Sequence, residues 1–427
     1  MLTLLRRRNF ALLWFGGLIS MAGDWMLRIA LPAHVFTLTG STLATGAMFM
    51  AGMLPSLLLG SVAGVFVDRW DRRWTMVLTN LVLAVCVLPL ALVSSTGELW
   101  IVYVVAVLQS SVGQFFGPAE NALLPTLVGE EHLVTANALN ALNNNLARLV
   151  GPALGGIVAA TVGLTGVALI DAATFLVAAA LIGLIRVDRA APDEPSASDG
   201  ERARISITAV WREWIAGLAV VRHSPLLALL FTIIAIVAVG EGIVSVLFVP
   251  FVTEALGGKA LELGWLMSAQ AVGGLLGGLV IAQAAKGVSP YRLLGPCTLL
   301  FGLIDLVIFV SPLFYPSITL QLVLFVLVGL PAAGFGASLS TLLQHGTSDA
   351  YRGRVFGAQN TTFALLTLCG MGLASVLGDI VGIVPVISLQ GGVYIAAGFL
   401  ALAGLRRFAS SQTQPSSGEP VVAQEAG

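Results

Sequence analysis

Charge is what this chain has least of. Only 10% of its 427 residues are Asp, Glu, Lys or Arg, against about 25% in a soluble domain, so it cannot clothe a surface that faces water. Histidine and cysteine are scarcer still. His34, His132, His223 and His345 are scattered, without Cys or carboxylate companions at metal-ligand spacing, and no metal site is expected. Cys86, Cys297 and Cys369 all fall in apolar runs, which gives no disulfide framework and leaves packing as their role. A net charge of −1 offers no pull on a polyanion, and the basic residues lack interleaved aromatics, so nucleic acid is excluded as a partner. The chain has no G-x-x-x-x-G-K-[ST] phosphate loop and no nucleophile–base arrangement. Neither enzymatic chemistry nor a cofactor is expected.

What is present is apolar: 57% of the residues, with a mean hydropathy of +0.95. A membrane crossing needs ~20 apolar residues plus a connection, which leaves room for roughly twelve crossings. Twelve runs can be separated by charge or turn residues, near 10–36, 42–67, 75–95, 99–127, 133–161, 164–186, 225–252, 261–285, 291–312, 316–343, 355–380 and 384–405. None shows the ~10-residue alternation of a membrane barrel. The 48 glycines and 18 prolines are tolerated in membrane helices. The chain is therefore predicted to be an all-α polytopic membrane protein with twelve transmembrane helices.

Basic residues fix the orientation. Arg6–Arg8, Arg69, Arg72, Arg73, Arg186 to Arg222, Lys286, Arg292, Arg352, Arg354, Arg406 and Arg407 all fall on one side of the predicted spans. The opposite side holds Lys259. Positive-inside bias puts both termini in the cytoplasm of a bacterial cell, with the spans in its inner membrane. Arg6–Arg8 before an apolar run mimics a secretory signal, but the run is too long and has no small-residue cleavage site, so it is kept as the first span.

The longest polar stretch, 187–224, divides the chain. Residues 1–186 are expected to form one six-helix bundle and 225–406 a second, with 407–427 a disordered cytoplasmic tail. Within the linker, Trp211, Trp214, Ile215, Leu218 and Val221 recur at helical spacing beside Arg212 and Arg222, which reads as an amphipathic helix on the inner leaflet. The two bundles echo each other. Gly23-Asp24 with Pro32 is matched by Gly240-Glu241 with Pro250, and Gly46-Ala47-Met48 by Gly264-Trp265-Leu266. Parallel six-helix repeats are an arrangement transporters use, with the substrate site between the halves near the midplane.

Ionisable residues inside spans cost at least ~2.5 kcal/mol each and are functional candidates by default. They are Asp24, Arg28, Glu120, Arg148, Asp171, Glu241 and Asp305, with Asp379 near an outer end. At 1.5 Å per residue, Asp24, Arg148, Glu241 and Asp305 fall in one layer about 20 Å from the cytoplasmic ends. Asp24 and Arg28 share a helix face and can pair. Glu120 lies deeper towards the cytoplasm, and Asp171 is placed close enough to the outer interface to be solvated. Acids outnumber bases, and a carboxylate withdrawn from water favours its neutral form. Such groups suit either a travelling proton or a cationic solute, and one carboxylate can serve both.

The turn after the second span reads Gly64-Val65-Phe66-Val67-Asp68-Arg69-Trp70-Asp71-Arg72-Arg73. It resembles the signature G-x-x-x-D-R-x-G-R-R of the major facilitator superfamily, with Asp71 in place of the second Gly. The resemblance implies a fold of two pseudo-symmetric six-helix bundles. It also implies a cytoplasmic gate in which Gly64 permits close packing while Asp68, Arg69, Arg72 and Arg73 reach the other half. Gly151-Pro152-Ala153-Leu154-Gly155-Gly156 is similar to the antiporter motif G-x-x-x-G-P-x-x-G-G, with Ala147 where its first Gly would be. Asn9-Phe10 to Trp14, Gly23-Asp24-Trp25, Phe116-Gly117-Pro118-Ala119, Ala136-Asn137-Ala138 and Arg352-Gly353-Arg354-Val355-Phe356-Gly357 resemble the drug:proton antiporter branch of macrolide and enterobactin exporters.

These readings predict a secondary transporter in the lipid bilayer, acting as a monomer, that exports amphipathic small molecules by alternating access in exchange for protons. Two alternatives are an exporter or flippase for one solute, such as a siderophore or lysophospholipid, and a non-transporting membrane sensor.

Overall fold

The computed structural model of the chain describes residues 2–186, 207–284 and 288–411. Helices account for nearly all of them, and no strand occurs among the described residues. After a single turn at Leu2–Leu5, the first half comprises α1 (Arg8–Thr39), α2 (Thr42–Val67), α3 (Arg72–Val87), α4 (Leu99–Gly113), α5 (Phe116–Val128) and α6 (Leu133–Gly183). A peripheral helix, α7 (Ile207–His223), precedes the second half. That half contains α8 (Pro225–Pro250), α9 (Ala260–Ala284), α10 (Pro290–Val310), α11 (Ile318–His345), α12 (Arg352–Val381) and α13 (Ile383–Ser411). Of the predicted linker 187–224 and tail 407–427, residues 187–206 and 412–427 lie outside the described residues, as does Lys286, while residues 407–411, expected in the disordered tail, continue α13 as helix.

Eleven helical stretches among the described residues are long and apolar enough to cross a membrane. One of them, running from Glu130 to Gly183, has 54 residues, or about 80 Å at 1.5 Å per residue, against a hydrocarbon core of ~30 Å. It cannot be one crossing. Gly163, at φ 66° and ψ −170°, breaks it in two, in a backbone region that essentially only glycine occupies. The sequence places the same boundary between 161 and 164. α4 and α5 together form one crossing, which gives twelve.

Local chemistry sets the helix ends. Gly40, in the left-handed conformation, terminates α1, and the next residue, Ser41, caps α2 by accepting the Ala44 amide. Asp71 caps α3 through the Trp74 amide at 2.9 Å. The residue that departs from the family signature thus serves as a helix cap.

In the first half, α1 lies along α6, α3 packs on α4 and α6, and α2 packs on α4. Trp14 and Asn143 tie α1 to α6, the indole donating to the Leu139 carbonyl and the amide to the Trp14 carbonyl, both at 2.9 Å. In the second half α10 lies along α13, α9 along α11, and α8 packs on α12 and α13. The halves meet mainly through two helix pairs, α2 with α12 and α6 with α9, with smaller contacts of α1 and α2 on α8 and of α1 on α9.

The α7 helix packs the apolar stripe read from the sequence against the second half. Trp214 donates its indole N–H to Thr362 of α12 at 3.0 Å, and Val221 is buried against the second half. A Cβ on Gly217 would lie 2.5 Å from the Arg354 carbonyl oxygen. Most of the apolar stripe is thus consumed by α12, and only Trp211 and Ile215 stay exposed.

Candidate functional site: a central cavity between the halves

A cavity of about 880 Å³ separates the two halves. Asp24, Arg28 and Gln109 reach it from the first half, and Glu241, Asp305 and Gln390 from the second. Its walls are soft and apolar. Met48, Met53, Met267 and Met371 alternate with rings such as Phe248 and Phe325, which pack 5.5 Å apart. Thioethers adapt to irregular shapes at little cost, so such walls accept varied apolar surfaces.

Each charged group has a distinct setting. Asp24 accepts a hydrogen bond from the Gln109 amide at 3.3 Å. Arg28, one turn further along α1, lies 5.1 Å above the Trp25 ring and makes no salt bridge with Asp24. The predicted local pair is therefore a pair of neighbours rather than a closed contact. Across the cavity, Glu241 Oε1 accepts a hydrogen bond from the Tyr394 hydroxyl at 2.5 Å. Asp305 lines the same cavity, near enough to this carboxylate to act on it electrostatically.

Three other predicted residues do not line the cavity. Arg148 is exposed and outside the cavity lining, though near enough to Glu241 to act on it electrostatically. Glu120 accepts a hydrogen bond from Asn140 at 3.2 Å, between α5 and α6. Asp171 was expected in reach of water near the outer interface; it is fully buried instead. The cause is Gly23, which has no side chain and lets α1 close over it; a Cβ there would overlap Asp171 Oδ1 and Thr174 Oγ1. Asp171 thereby faces Asp24 from behind.

The halves are joined beyond this layer, at the end opposite the arginine-rich turns. Asp379, near the C-terminus of α12, accepts hydrogen bonds from the start of α2: the Thr42 amide and hydroxyl, both at 2.8 Å, the Ser41 hydroxyl at 3.1 Å and the Leu43 amide at 3.4 Å. The second junction uses the antiporter-like motif. Gly151 and Gly155 bring α6 against Trp25 and Met26 of α1, while Pro152 and Gly156 meet α9 at Gly264 and Ala260. A Cβ on Gly264 would overlap the Pro152 carbonyl oxygen. Ile29, Ala33 and Phe36 of α1 join the apolar core of the second half at the same level.

The arginine-rich end is apart by contrast. Arg72 donates to the Ala122 carbonyl at 2.9 Å, and Arg73 donates to the Gly183 carbonyl, both within the first half. Asp68 and Arg69 are exposed and form no ion pair with a described residue of the second half. A Cβ on Gly64 would meet nothing within 4 Å. Among the described residues, neither the expected gate contact nor the expected close packing at Gly64 is formed. The cavity lining extends towards the arginine-rich end through Ser56, Gly113 and Gln114.

Sequence reasoning missed Gln109, Gln390 and Tyr394. Each is an uncharged polar side chain inside an apolar run, a far weaker signal than a charge because many such residues occur along the chain.

Comparison with known proteins agrees with this geometry. The sequence model of the Major Facilitator Superfamily matches residues 13–240 and again 230–425. The chain is 30% identical over 397 residues to the uncharacterized MFS-type transporter YfiS of Bacillus subtilis, covering 90% of both chains. It is also 30% identical over 389 residues to the multidrug efflux pump Tap of Mycolicibacterium fortuitum, covering 88% of this chain and 91% of the pump. Macrolide efflux protein A of Streptococcus pyogenes is 23% identical over 377 residues, 88% of this chain and 90% of that one. Among solved structures, a bacterial homologue of the iron transporter ferroportin in an inward-facing state superposes with a TM-score of 0.71 at 16% identity, covering 94% of this chain and 99% of the other. An inward-facing, unoccupied bacterial homologue of human Spinster gives 0.69 at 15% identity, covering 96% and 98%. These relatives are membrane transporters, not enzymes, and the family match extends over both halves. The chain belongs to the major facilitator superfamily.

Proposed function

We propose that the chain exports amphipathic, mainly cationic small molecules across a bacterial inner membrane by alternating access, in exchange for protons. Its arginine-rich end and both termini then face the cytoplasm, and the state described here is open inward. The observation that carries the reading is the composition of the central cavity. Three carboxylic side chains, Asp24, Glu241 and Asp305, share it with one guanidinium, Arg28, amid methionine and phenylalanine walls. Unbalanced acids in a space shielded by apolar walls can both attract a cation and hold protons. The resemblance to Tap and macrolide efflux protein A supports export of drug-like compounds.

The reading is tested with the purified full chain in proteoliposomes, using tetraphenylphosphonium as probe and an imposed proton gradient. Asp24→Asn and Glu241→Gln should each lower gradient-driven transport at least tenfold. Unchanged transport in both variants would sink the assignment.

One observation favours a second reading. Arg28 is exposed, borders the cavity and stacks on Trp25 rather than closing on Asp24, so its cation is available to an anionic solute. A dedicated carrier for a siderophore or lysophospholipid would use Arg28 and Arg148. Competition by cationic, neutral and anionic compounds separates the two, because indifference to cations excludes the first.

A further inference from the structure

The acids of the central cavity are not equivalent. Asp24 meets an amide, Gln109, and has Arg28 one turn away. Glu241 instead meets a phenol held rigidly. Tyr394 is 1% exposed, with its ring 4.4 Å from Phe301 and 6.0 Å from Phe335. It sits where α10 and α13 cross at closest approach, and a Cβ on Gly302 would fall 2.8 Å from its own Cβ. The hydroxyl cannot swing away without parting the two helices.

Asp305 lies one turn beyond Gly302, lines the same cavity as Glu241 and is near enough to it and to Tyr394 to act on both electrostatically. It is 4% exposed, and its Oδ2 has no hydrogen-bond partner among the described residues. From α6, the exposed Arg148 is a cation near enough to Glu241 to act on it electrostatically. An anionic carboxylate without donors is costly in such a place, whereas a neutral carboxyl costs far less. One donor hydroxyl and one cation serve two neighbouring carboxyl groups, so the arrangement suits one negative charge and one proton shared between them. The charge belongs on Glu241, because that is where the phenol O–H donates.

We propose that Glu241 and Asp305 are the proton-holding pair of the carrier, with Tyr394 as the positioning residue that keeps the charge on Glu241, while Asp24, with Gln109, receives the cationic group of the solute. This division of labour rests on the exporter reading but extends it: proton and solute occupy separate halves of one cavity. Neither carboxylate need release one before it binds the other, and the two are coupled through the movement of the halves.

The test uses the full chain in lipid, without solute, and follows the infrared carboxyl band as a function of pH. Tyr394→Phe keeps the ring and removes only the donor. Losing a hydrogen bond to a charged acceptor should move the midpoint of the carboxyl titration upward by about 1–2 pH units. The shift should vanish when Glu241→Gln is added and persist when Asp24→Asn is added. A midpoint that Tyr394→Phe leaves in place overturns the proposal, as does a shift that survives Glu241→Gln. If Tyr394→Phe is not recovered as a monodisperse protein, Asp305→Asn carries the test. It should remove one titrating carboxyl from the band, and an unchanged amplitude overturns the pair. Failure of the wild-type chain to move tetraphenylphosphonium would refute the exporter reading alone, and the titration would still decide this one.

Discussion

Asp379→Ala removes the acceptor that ties α12 to the start of α2, and with it most of the polar closure of the cavity at the far end. In the closed arrangement four groups donate to this carboxylate, from Ser41, Thr42 and Leu43. Loss of a side-chain cap costs a helix about 0.5–2 kcal/mol, and a carboxylate at a helix N-terminus contributes about 0.3–1 kcal/mol through the helix dipole. Asp379 is exposed, so the sum belongs towards the low end, at about 1–2 kcal/mol. All of it is differential, because the contact exists only while the halves touch there. The ratio of far-end-closed to far-end-open molecules should then fall by a factor of about 5–30. Spin labels at Leu92→Cys and Phe314→Cys, both exposed beyond the ends of α3 and α10, report that separation by double electron–electron resonance. Cys86, Cys297 and Cys369 are first replaced. The expected result is a new longer-distance population in Asp379→Ala and a smaller one in Asp379→Asn. An unchanged distance distribution refutes the latch.

Two further substitutions test neighbouring parts of the argument. Gly264→Val forces a side chain into the Pro152 carbonyl and the Gly156 backbone, an overpacking worth about 1–3 kcal/mol. It should open the same labelled pair without altering any charge, and a closed distribution would show that α6 and α9 do not control the far end. Asp71→Ala removes the cap of α3 and should cost about 0.5–2 kcal/mol, whereas Asp71→Gly, which restores the family's residue, should cost only a few tenths. Thermal unfolding compares them, and equal losses would remove the capping role.

Much of the fold was legible because its determinants are local. A run of apolar residues either spans the hydrocarbon or does not, and the runs separate at Gly40, Gly163 and the arginine turns whatever packs around them. Even the break inside the Glu130–Gly183 stretch was readable, since a Thr-Val-Gly-Leu junction between two apolar runs leaves glycine as the residue able to turn. Candidate charges were legible for the same reason: any ionisable group within a span stands out against its neighbours. Polar but uncharged residues were not. Gln109, Gln390 and Tyr394 look unexceptional in sequence and gain meaning only from what stands opposite them.

By itself, then, the sequence determined the number of crossings, the side on which the arginines gather and the short roster of intramembrane charges, because each follows from hydropathy and sign along a single helix. Only the tertiary structure decided which of those charges share a cavity. Asp24, Glu241 and Asp305 do, while Asp171 is sealed away by the absence of a side chain at Gly23 and Glu120 is satisfied by Asn140. Only the tertiary structure, too, decided which end is closed. That choice lies in contacts between residues more than 330 positions apart, Thr42 and Asp379, whose proximity depends on how two packed bundles tilt against each other. No periodicity in the chain encodes that tilt, since the same helices, equally apolar, can close at either end.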